Sequence, residues 1–439
     1  MTNPFEIRRL GPCLIPSPLK LRAGPGARHF VDDGERVLCN IEVMEGEEEI
    51  HSSERGVLEK AGPRENIFFP PGRVHAAIVT CGGLCPGLND VVRSIVMTLY
   101  EQYGVTNVSG VRYGYRGLLP DAPWSLMKLD PTVVAHIHRA GGTILGTARG
   151  GGERTKDIVD TLQRQGIDVL FTIGGDGTQR GAALIADEIQ ARGLPIAVVG
   201  VPKTIDNDLS FVEKSFGFET AVSEALRAVD GAHTEAADSV NGVGLVKVMG
   251  RDSGFIAAHT ALASNDVDFV LIPEVPFDIE GEGGFLWHLE ARVRDSGHAM
   301  VLVAEGAGQS YVEMEGYDAG GNKKLGDIGV YLRKAIEKHF AERGLEISMK
   351  YIDPSYMVRS LPACASDSIY CARLGANAVH AAMAGRTACL VGRVNNRLVH
   401  VPIGGASARR NRVDPDGPLW RDVVSDTGQP ALLKAASAP

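Results

Sequence analysis

Two spacings of apolar residues alternate along this chain from about residue 73 onward: short unbroken apolar runs, and longer stretches where apolar positions recur every three or four residues. The first kind predicts buried strands at 75–80 (HAAIVT), 109–117 (SGVRYGYRG), 168–173 (DVLFTI), 195–201 (PIAVVGV), 242–248 (GVGLVKV), 269–272 and 300–303. The second predicts a helix at 88–100, with Asn89 as N-cap and Val92, Ile95, Val96 and Leu99 inward. It predicts another at 179–192, with Ala182, Ile185, Ala186 and Ile189 inward, and more at 216–233, 255–263, about 285–296, 327–343 and 367–384. Apolar strands alternating with amphipathic helices imply an α/β fold with mainly parallel sheets. Residues 1–72 break the pattern: Pro12, Pro16, Pro18 and Pro25 punctuate the start, an acidic run follows at 45–49, and Phe68-Phe-Pro-Pro-Gly72 closes it. This reads as an extension laid over a core, packed through Phe5, Ile7, Leu14, Ile15 and Leu19, with a subunit contact as one place for it. Residues 432–439 read as a frayed tail.

Composition narrows the function. At 439 residues, 44% hydrophobic and 23% charged, the chain suits two or three domains with full cores. A net charge of −9 argues against general affinity for nucleic acid or anionic membrane, while local cations can still hold an anionic small molecule. No apolar run reaches about 18 residues. The start Met1-Thr-Asn-Pro4 lacks a signal-peptide layout, so a soluble, cytoplasmic protein is expected. Seven scattered cysteines fit reduced thiols. Cys81 and Cys85 enclose a glycine turn, but no second pair or nearby histidine completes a zinc site.

The polar chemistry gathers where the predicted strands end. Pro202 closes the run 195–201, and Lys203, Thr204, Asp206, Asn207 and Asp208 follow. Parallel sheets bind ligands at the carboxyl ends of their strands. A cation, a hydroxyl and two carboxylates suit phosphate handling, with Lys203 as a point charge, Thr204 as a donor and Asp206 or Asp208 as base. An Asx-rich turn is the other reading of the same residues. Three glycine-rich exits precede the cluster: Cys81-Gly-Gly-Leu-Cys-Pro-Gly87, the stretch 141–152 with Arg149, and Gly174-Gly-Asp-Gly-Thr178. Such turns let phosphate oxygens approach the backbone at a helix N-terminus; Asp176 can reach a magnesium ion and Thr178 can donate to phosphate. None is a G-x-G-x-x-G fingerprint or a Walker A loop, which weighs against a Rossmann oxidoreductase. Further on, Arg251 stands in Met249-Gly-Arg-Asp-Ser-Gly254, as a site cation or a surface charge, and Glu305-Gly306 follows another strand.

With these pieces in order, the sequence resembles the phosphofructokinase family. The resemblance rests on 81–89, 145–151, 174–178, 202–208, 249–254, Glu305 and 356–359, between about Arg73 and Gly405. Its wording, including TCGGLCPGLND, GVPKTIDND, EGAG and YIDPSYM, looks most like the long ATP-dependent enzymes of plants and trypanosomatids. The resemblance implies two interleaved, doubly wound α/β domains: 73–215 for the nucleotide, with about 361–410 returning to it, and 216–360 for the sugar phosphate. The extension 1–72 and a tail at 411–439 flank them. It implies phosphoryl transfer from MgATP to the 1-hydroxyl of fructose 6-phosphate, a glycolytic step, in a homo-oligomer (tetramer or dimer).

Carried over by that match, Gly82, Arg149, Gly150, Gly175, Asp176, Gly177 and Thr178 hold the nucleotide phosphates, and Asp176 also holds magnesium. Asp206 is the base, with Lys203, Thr204 and Arg251 in the catalytic set. Thr204, Ile205, Asp206, Met249, Gly250, Arg251, Glu305, Tyr356, Met357, Val358 and Arg359 contact the sugar phosphate. Lys203 looks like the pyrophosphate-using relatives, yet those carry Asp where this chain has Gly177, so the donor turns on Gly177. The short bacterial enzymes place an arginine where this chain has Asn241-Gly242, and Lys350 is the candidate to replace it. The alternatives are a pyrophosphate-dependent enzyme and a non-catalytic sensor of nucleotide or sugar phosphate; the intact Asp176, Asp206 and Arg251 speak against the sensor.

Overall fold

Ala197–Pro202, all six residues buried, lies at the centre of a mixed sheet. The computed structural model describes residues 5–20, 30–41, 56–209, 212–313, 316–317, 324–406 and 410–436. Pro25, the acidic run 45–49 and the two chain ends lie outside the described residues. Two units share the chain, the first comprising Met1–Thr204, Leu209–Gly217 and Ser360–Arg410, the second Ile205–Asp208, Phe218–Arg359 and Asn411–Pro439. The chain therefore passes from one to the other five times.

In the first unit, nine strands among the described residues form one sheet, in the order 36–38, 57–60, 397–402, 389–394, 197–202, 169–174, 75–80, 107–111 and 127–128. The five strands from 389–394 to 107–111 are parallel, and antiparallel strands close both edges. From His75–Thr80 the chain moves outward in one direction to Asn107–Val111; from Val169–Gly174 it moves the other way to Ala197–Pro202. The exits of the adjacent strands His75–Thr80 and Val169–Gly174 therefore flank a topological switch point, where such sheets bind ligands. Ile158, Leu162, Leu170, Ile185, Val198 and Leu390 belong to the core beneath them.

The N-terminal extension is built into this unit. Arg36–Leu38 and Val57–Lys60 add edge strands, Arg8–Arg9 pairs with Arg386–Thr387, and Ile15–Pro16 pairs with Asn66–Ile67. A buried ionic cluster locks it down. Arg386, fully buried, donates to Glu59 at 2.9 Å and to Asp33 at 2.5 Å, and Arg64 reaches the same two carboxylates at 3.0 and 2.8 Å. Removing the buried Glu59 would leave buried guanidinium charge undercompensated, at about 3–5 kcal/mol.

The second unit carries four parallel strands among its described residues, in the order 269–271, 298–304, 242–248 and 348–352. Phe285, Leu289, Val301, Leu332 and Phe340 build its core. The segment expected to fray is part of it: Leu433 is 3% exposed within that core, its carbonyl accepts from the Asp278 amide at 2.8 Å, and the Ala435 amide donates to Asp278 Oδ2 at 2.9 Å. Burying that leucine contributes roughly 1.5–3 kcal/mol toward holding the segment in place. Among the described residues no helix is long and apolar enough to cross a membrane.

Several elements differ from their sequence expectation. The helix Leu88–Met97 takes Gly87, at φ 97°, as its N-cap rather than Asn89, and a π-helical segment, Thr98–Tyr103, continues it. The strand expected over 109–117 ends at Val111, because Tyr113 (φ 56°) and Gly114 (φ 68°) turn the backbone left-handed. The helix expected from 179 begins at Asp176, with Gly175 as its N-cap. The helices Thr155–Arg164 and Pro418–Thr427 and the hairpin Cys389–Val394 with Arg397–Pro402 were not read from the sequence.

Candidate active site

In the first unit, neighbouring strand exits are tied by short hydrogen bonds. The Cys81 amide donates to Ile173 O at 2.9 Å, the Gly82 amide to Ala148 O at 3.0 Å, and the Lys203 amide to Gly174 O at 3.0 Å. Thr147 Oγ1 donates to Gly82 O at 2.7 Å, so the stretch 141–152 is fastened to the turn 81–87. Asn89 adds a second fastening: its side chain donates to Ala140 O at 3.1 Å and accepts from the Ile144 amide at 3.0 Å. Lys203, 6% exposed, reaches back and donates from Nζ to Gly83 O at 2.6 Å. The structure thus brings Gly82, Gly175–Thr178 and Lys203 together, with the Arg149 loop against them.

Glycine is needed at two of these positions for different reasons. At Gly82, φ is +87° and a Cβ would sit 3.3 Å from Lys203 Nζ; at Gly174 a Cβ would run into the Thr178 side chain. Gly177 differs from both. A Cβ there would meet nothing nearer than Arg180 Nη2 at 3.8 Å, so packing does not demand glycine. The helix Asp176–Ala191 starts at this spot, and its first amides and dipole favour an anion.

Asp176 carries the metal question. Its Oδ2 pairs with Arg180, one turn on, and lies 3.9 Å from Arg410. Its Oδ1 is buried and has no hydrogen-bond partner among the described residues. A buried carboxylate oxygen lacking a donor fits a hard cation. No group of three or more His, Cys, Asp or Glu side chains suited to a metal occurs among the described residues. A magnesium ion at Asp176 would therefore take the rest of its shell from substrate phosphates and water, as magnesium commonly does.

In the second unit, three adjacent parallel strands, 298–304, 242–248 and 348–352, deliver the sugar-phosphate candidates at their exits. Met249, Gly250 and Arg251 follow the central strand. Gly250 has φ +135°, and a Cβ on it would lie 2.5 Å from Ser253 O. The Glu305 amide donates to Val248 O at 2.9 Å and the Gly306 amide to Gly250 O at 3.0 Å, which stitches the two turns together. Burial raises the Glu305 carboxyl above its ordinary range, against the lowering pull of Lys247 and Arg251. Ser253 Oγ donates to Asp206 O at 3.2 Å, and the Asn411 amide donates to Asp208 O at 2.9 Å. Between them Asn207 holds φ 56°, a left-handed conformation that asparagine tolerates.

After the strand 348–352, Tyr356 and Met357 are 76% and 66% exposed while Val358 is buried, and the Arg359 guanidinium stands 4.6 Å over the Tyr356 ring. Lys350 is not brought to this group. It pairs in register with Gly244, about 13 Å of strand below the exit at Val248, and its Nζ lies 3.4 Å from Glu235. Sequence reasoning passed over Lys247, 9% exposed and ion-paired to Asp353 at 2.9 Å and Asp327 at 3.1 Å. The available signal was one lysine inside the otherwise apolar strand GVGLVKV.

A model of the phosphofructokinase family matches residues 75–382. An ATP-dependent 6-phosphofructokinase of Borreliella burgdorferi is 54% identical over 439 residues, covering 98% of each chain. ATP-dependent 6-phosphofructokinase 7 of Arabidopsis thaliana is 49% identical over 384 residues, 86% of this chain and 78% of its own. Among solved structures, the T-state phosphofructokinase of Pichia pastoris matches with a TM-score of 0.63 at 25% identity, over 81% of this chain and 37% of that longer one. With a family model spanning well over half its length, and with relatives this similar over nearly all of it, the chain belongs to the phosphofructokinase family.

Proposed function

We propose that this chain transfers the γ-phosphoryl group of MgATP to the 1-hydroxyl of fructose 6-phosphate, giving fructose 1,6-bisphosphate and ADP. One observation carries the reading: at the start of the helix Asp176–Ala191, a buried carboxylate oxygen without a donor stands beside a glycine whose side-chain direction is open. The first suits a metal-bound polyphosphate, and the second leaves room for the α-phosphate and nucleoside that pyrophosphate lacks.

Phosphoryl transfer asks a protein mainly to align two anions and to spread compensating charge. The helix start at Asp176 and Gly177 offers backbone amides to the donor, Gly82 leaves it room to approach, and Arg149 and Lys203 serve as cations. Magnesium held at Asp176 would neutralise charge on the β- and γ-phosphates. In the second unit, Met249, Gly250, Arg251, Glu305 and 356–359 hold the sugar phosphate. Asp206, two residues beyond Thr204, accepts the proton of the 1-hydroxyl as its oxygen bonds to the γ-phosphorus; the bond from that phosphorus to the β-phosphate oxygen breaks, and ADP leaves. Arg251 stabilises the moving group. A homo-oligomer in the cytoplasm belongs to the same reading, checked by light scattering and by fractionation.

The test is phosphorus NMR of purified protein given magnesium, ATP and fructose 6-phosphate. A second sugar phosphomonoester should grow in step with ADP. Sugar-independent release of inorganic phosphate, or no turnover, would sink the proposal.

A further inference from the structure

We propose that Lys247 is a positioning residue for sugar-phosphate recognition, an inference that rests on the function proposed above. Lys247 lies on the central strand of the second unit, and its side chain is 11% exposed. Its Nζ is held by two carboxylates, Asp353 Oδ2 at 2.9 Å and Asp327 Oδ1 at 3.1 Å, so it is committed to the protein rather than offered to a ligand. Each partner stands at the end of an element. Asp327 caps the helix Ile328–Glu342, its Oδ1 also accepting from the Val330 amide at 3.1 Å. Asp353 is the first residue after the strand Ser348–Ile352, and the register Val246↔Ile352 sets it beside Lys247.

The segment from Asp353 to Arg359 is pinned at few points. Asp353 accepts from the Ser355 amide at 3.0 Å, and the Val358 amide donates to Pro354 O at 3.0 Å. Val358 is 1% exposed, whereas Tyr356 and Met357 project outward. Lys247 anchors one end of this turn and Val358 the other. Four residues beyond Lys247, past the end of its strand, stands Arg251, and Glu305, at the neighbouring exit, feels the Lys247 charge. One buried cation thus ties the exits of two strands that carry the sugar-phosphate candidates, Gly242–Val248 and Ser348–Ile352, to the start of the helix Ile328–Glu342. Losing it would leave Asp353 and Asp327 repelling each other and let the 353–359 turn drift. Losing one hydrogen bond to a charged phosphate costs roughly 10- to 100-fold in affinity.

The experiment is calorimetric binding of fructose 6-phosphate, with steady-state kinetics for both substrates, on the unmodified protein and on Lys247→Met, Lys247→Arg and Asp353→Asn. Lys247→Met should raise the KM for fructose 6-phosphate about 10- to 100-fold, leave the KM for ATP within about twofold, and lower kcat by less than about threefold. Lys247→Arg should recover the sugar KM to within about threefold, a rescue that a purely structural role would not confine to one substrate. If Lys247→Met fails to fold, Asp353→Asn carries the test, because it keeps the turn's hydrogen bonds and removes one charge; it should raise the same KM. Parent-like sugar binding in the folded variants, or an equal rise in both KM values, overturns the inference alone. Failure of the unmodified protein to bind fructose 6-phosphate refutes the proposed function, and this inference with it.

Discussion

Replacing Gly177 with aspartate separates what the protein needs for folding from what it needs for its donor. In the folded protein the new Cβ meets nothing within 3.8 Å, and the position lies in the first turn of the helix Asp176–Ala191. There aspartate is better than glycine by about 0.3–0.5 kcal/mol of helix propensity, and its charge gains about 0.3–1 kcal/mol from the helix dipole. Stability should hold or rise slightly. Against a bound donor the sign reverses. A carboxylate about 4 Å from a phosphate charge costs about 4 kcal/mol at an effective dielectric constant of about 20, close to a thousandfold in an equilibrium constant. The kcat/KM for ATP should therefore fall about 10²–10³-fold while the melting temperature does not. Pyrophosphate turnover should become measurable, since pyrophosphate places no α-phosphate or nucleoside against the new group. Gly177→Ala, with bulk but no charge, should lose less than about tenfold. The assay is coupled ADP release beside thermal unfolding of the same preparations. A folded Gly177→Asp variant whose ATP kinetics stay within about threefold of the parent would show that no donor phosphate lies against residue 177.

Three further outcomes follow from the same geometry. Asp206→Asn should lower kcat about 10²–10⁴-fold while fructose 6-phosphate still binds, as calorimetry would show; near-normal turnover removes Asp206 as the base. Arg251→Ala should lower kcat more than it raises the sugar-phosphate KM, and a loss confined to KM would make Arg251 a ground-state binder. His380 governs a pH response of the fold. It is buried with Nδ1 2.8 Å from Tyr103 Oη, and burial pulls its pKa down to about 4 from 6.5. The unfolded chain protonates this ring below about pH 6.5 while the native state does not, so stability is full above that pH and drains toward pH 4, by about 2–4 kcal/mol. Chemical unfolding at pH 7.5 and 5 should show that loss, reduced in His380→Gln; an unchanged slope would show that His380 does not govern it.

Where the chain is locally decisive, its sequence was readable. Gly242–Val248 and Phe285–Ser296 run between the residues that the apolar pattern marks, because glycine and charged turns bound unambiguous periods. The start of the helix Asp176–Ala191 was hidden because Asp-Gly-Thr reads as loop, whereas in the fold the Thr178 and Gln179 amides both donate to Gly175 O and make it a first turn. The hairpin after Ala388 turns on Asn395 and Asn396, both left-handed at φ 46° and 58°, a signal that was present and passed over. Long-range pairings left no such mark. Val399 opposite Lys60, and Arg8 opposite Thr387, join segments hundreds of residues apart, and no local pattern encodes them. At the site, the glycines and acids were legible by type. The inward pairing of Lys247 and the outward turn of Lys350 depend on strand register, which one sequence does not display.

The most direct test of donor and reaction together is a paired assay: unmodified protein, magnesium and fructose 6-phosphate, offered ATP in one vessel and pyrophosphate in the other at equal concentration. Fructose 1,6-bisphosphate should form with ATP, with pyrophosphate turnover at least about 100-fold slower. Faster turnover with pyrophosphate would contradict the role given to Gly177, and no product from either donor would contradict the account as a whole.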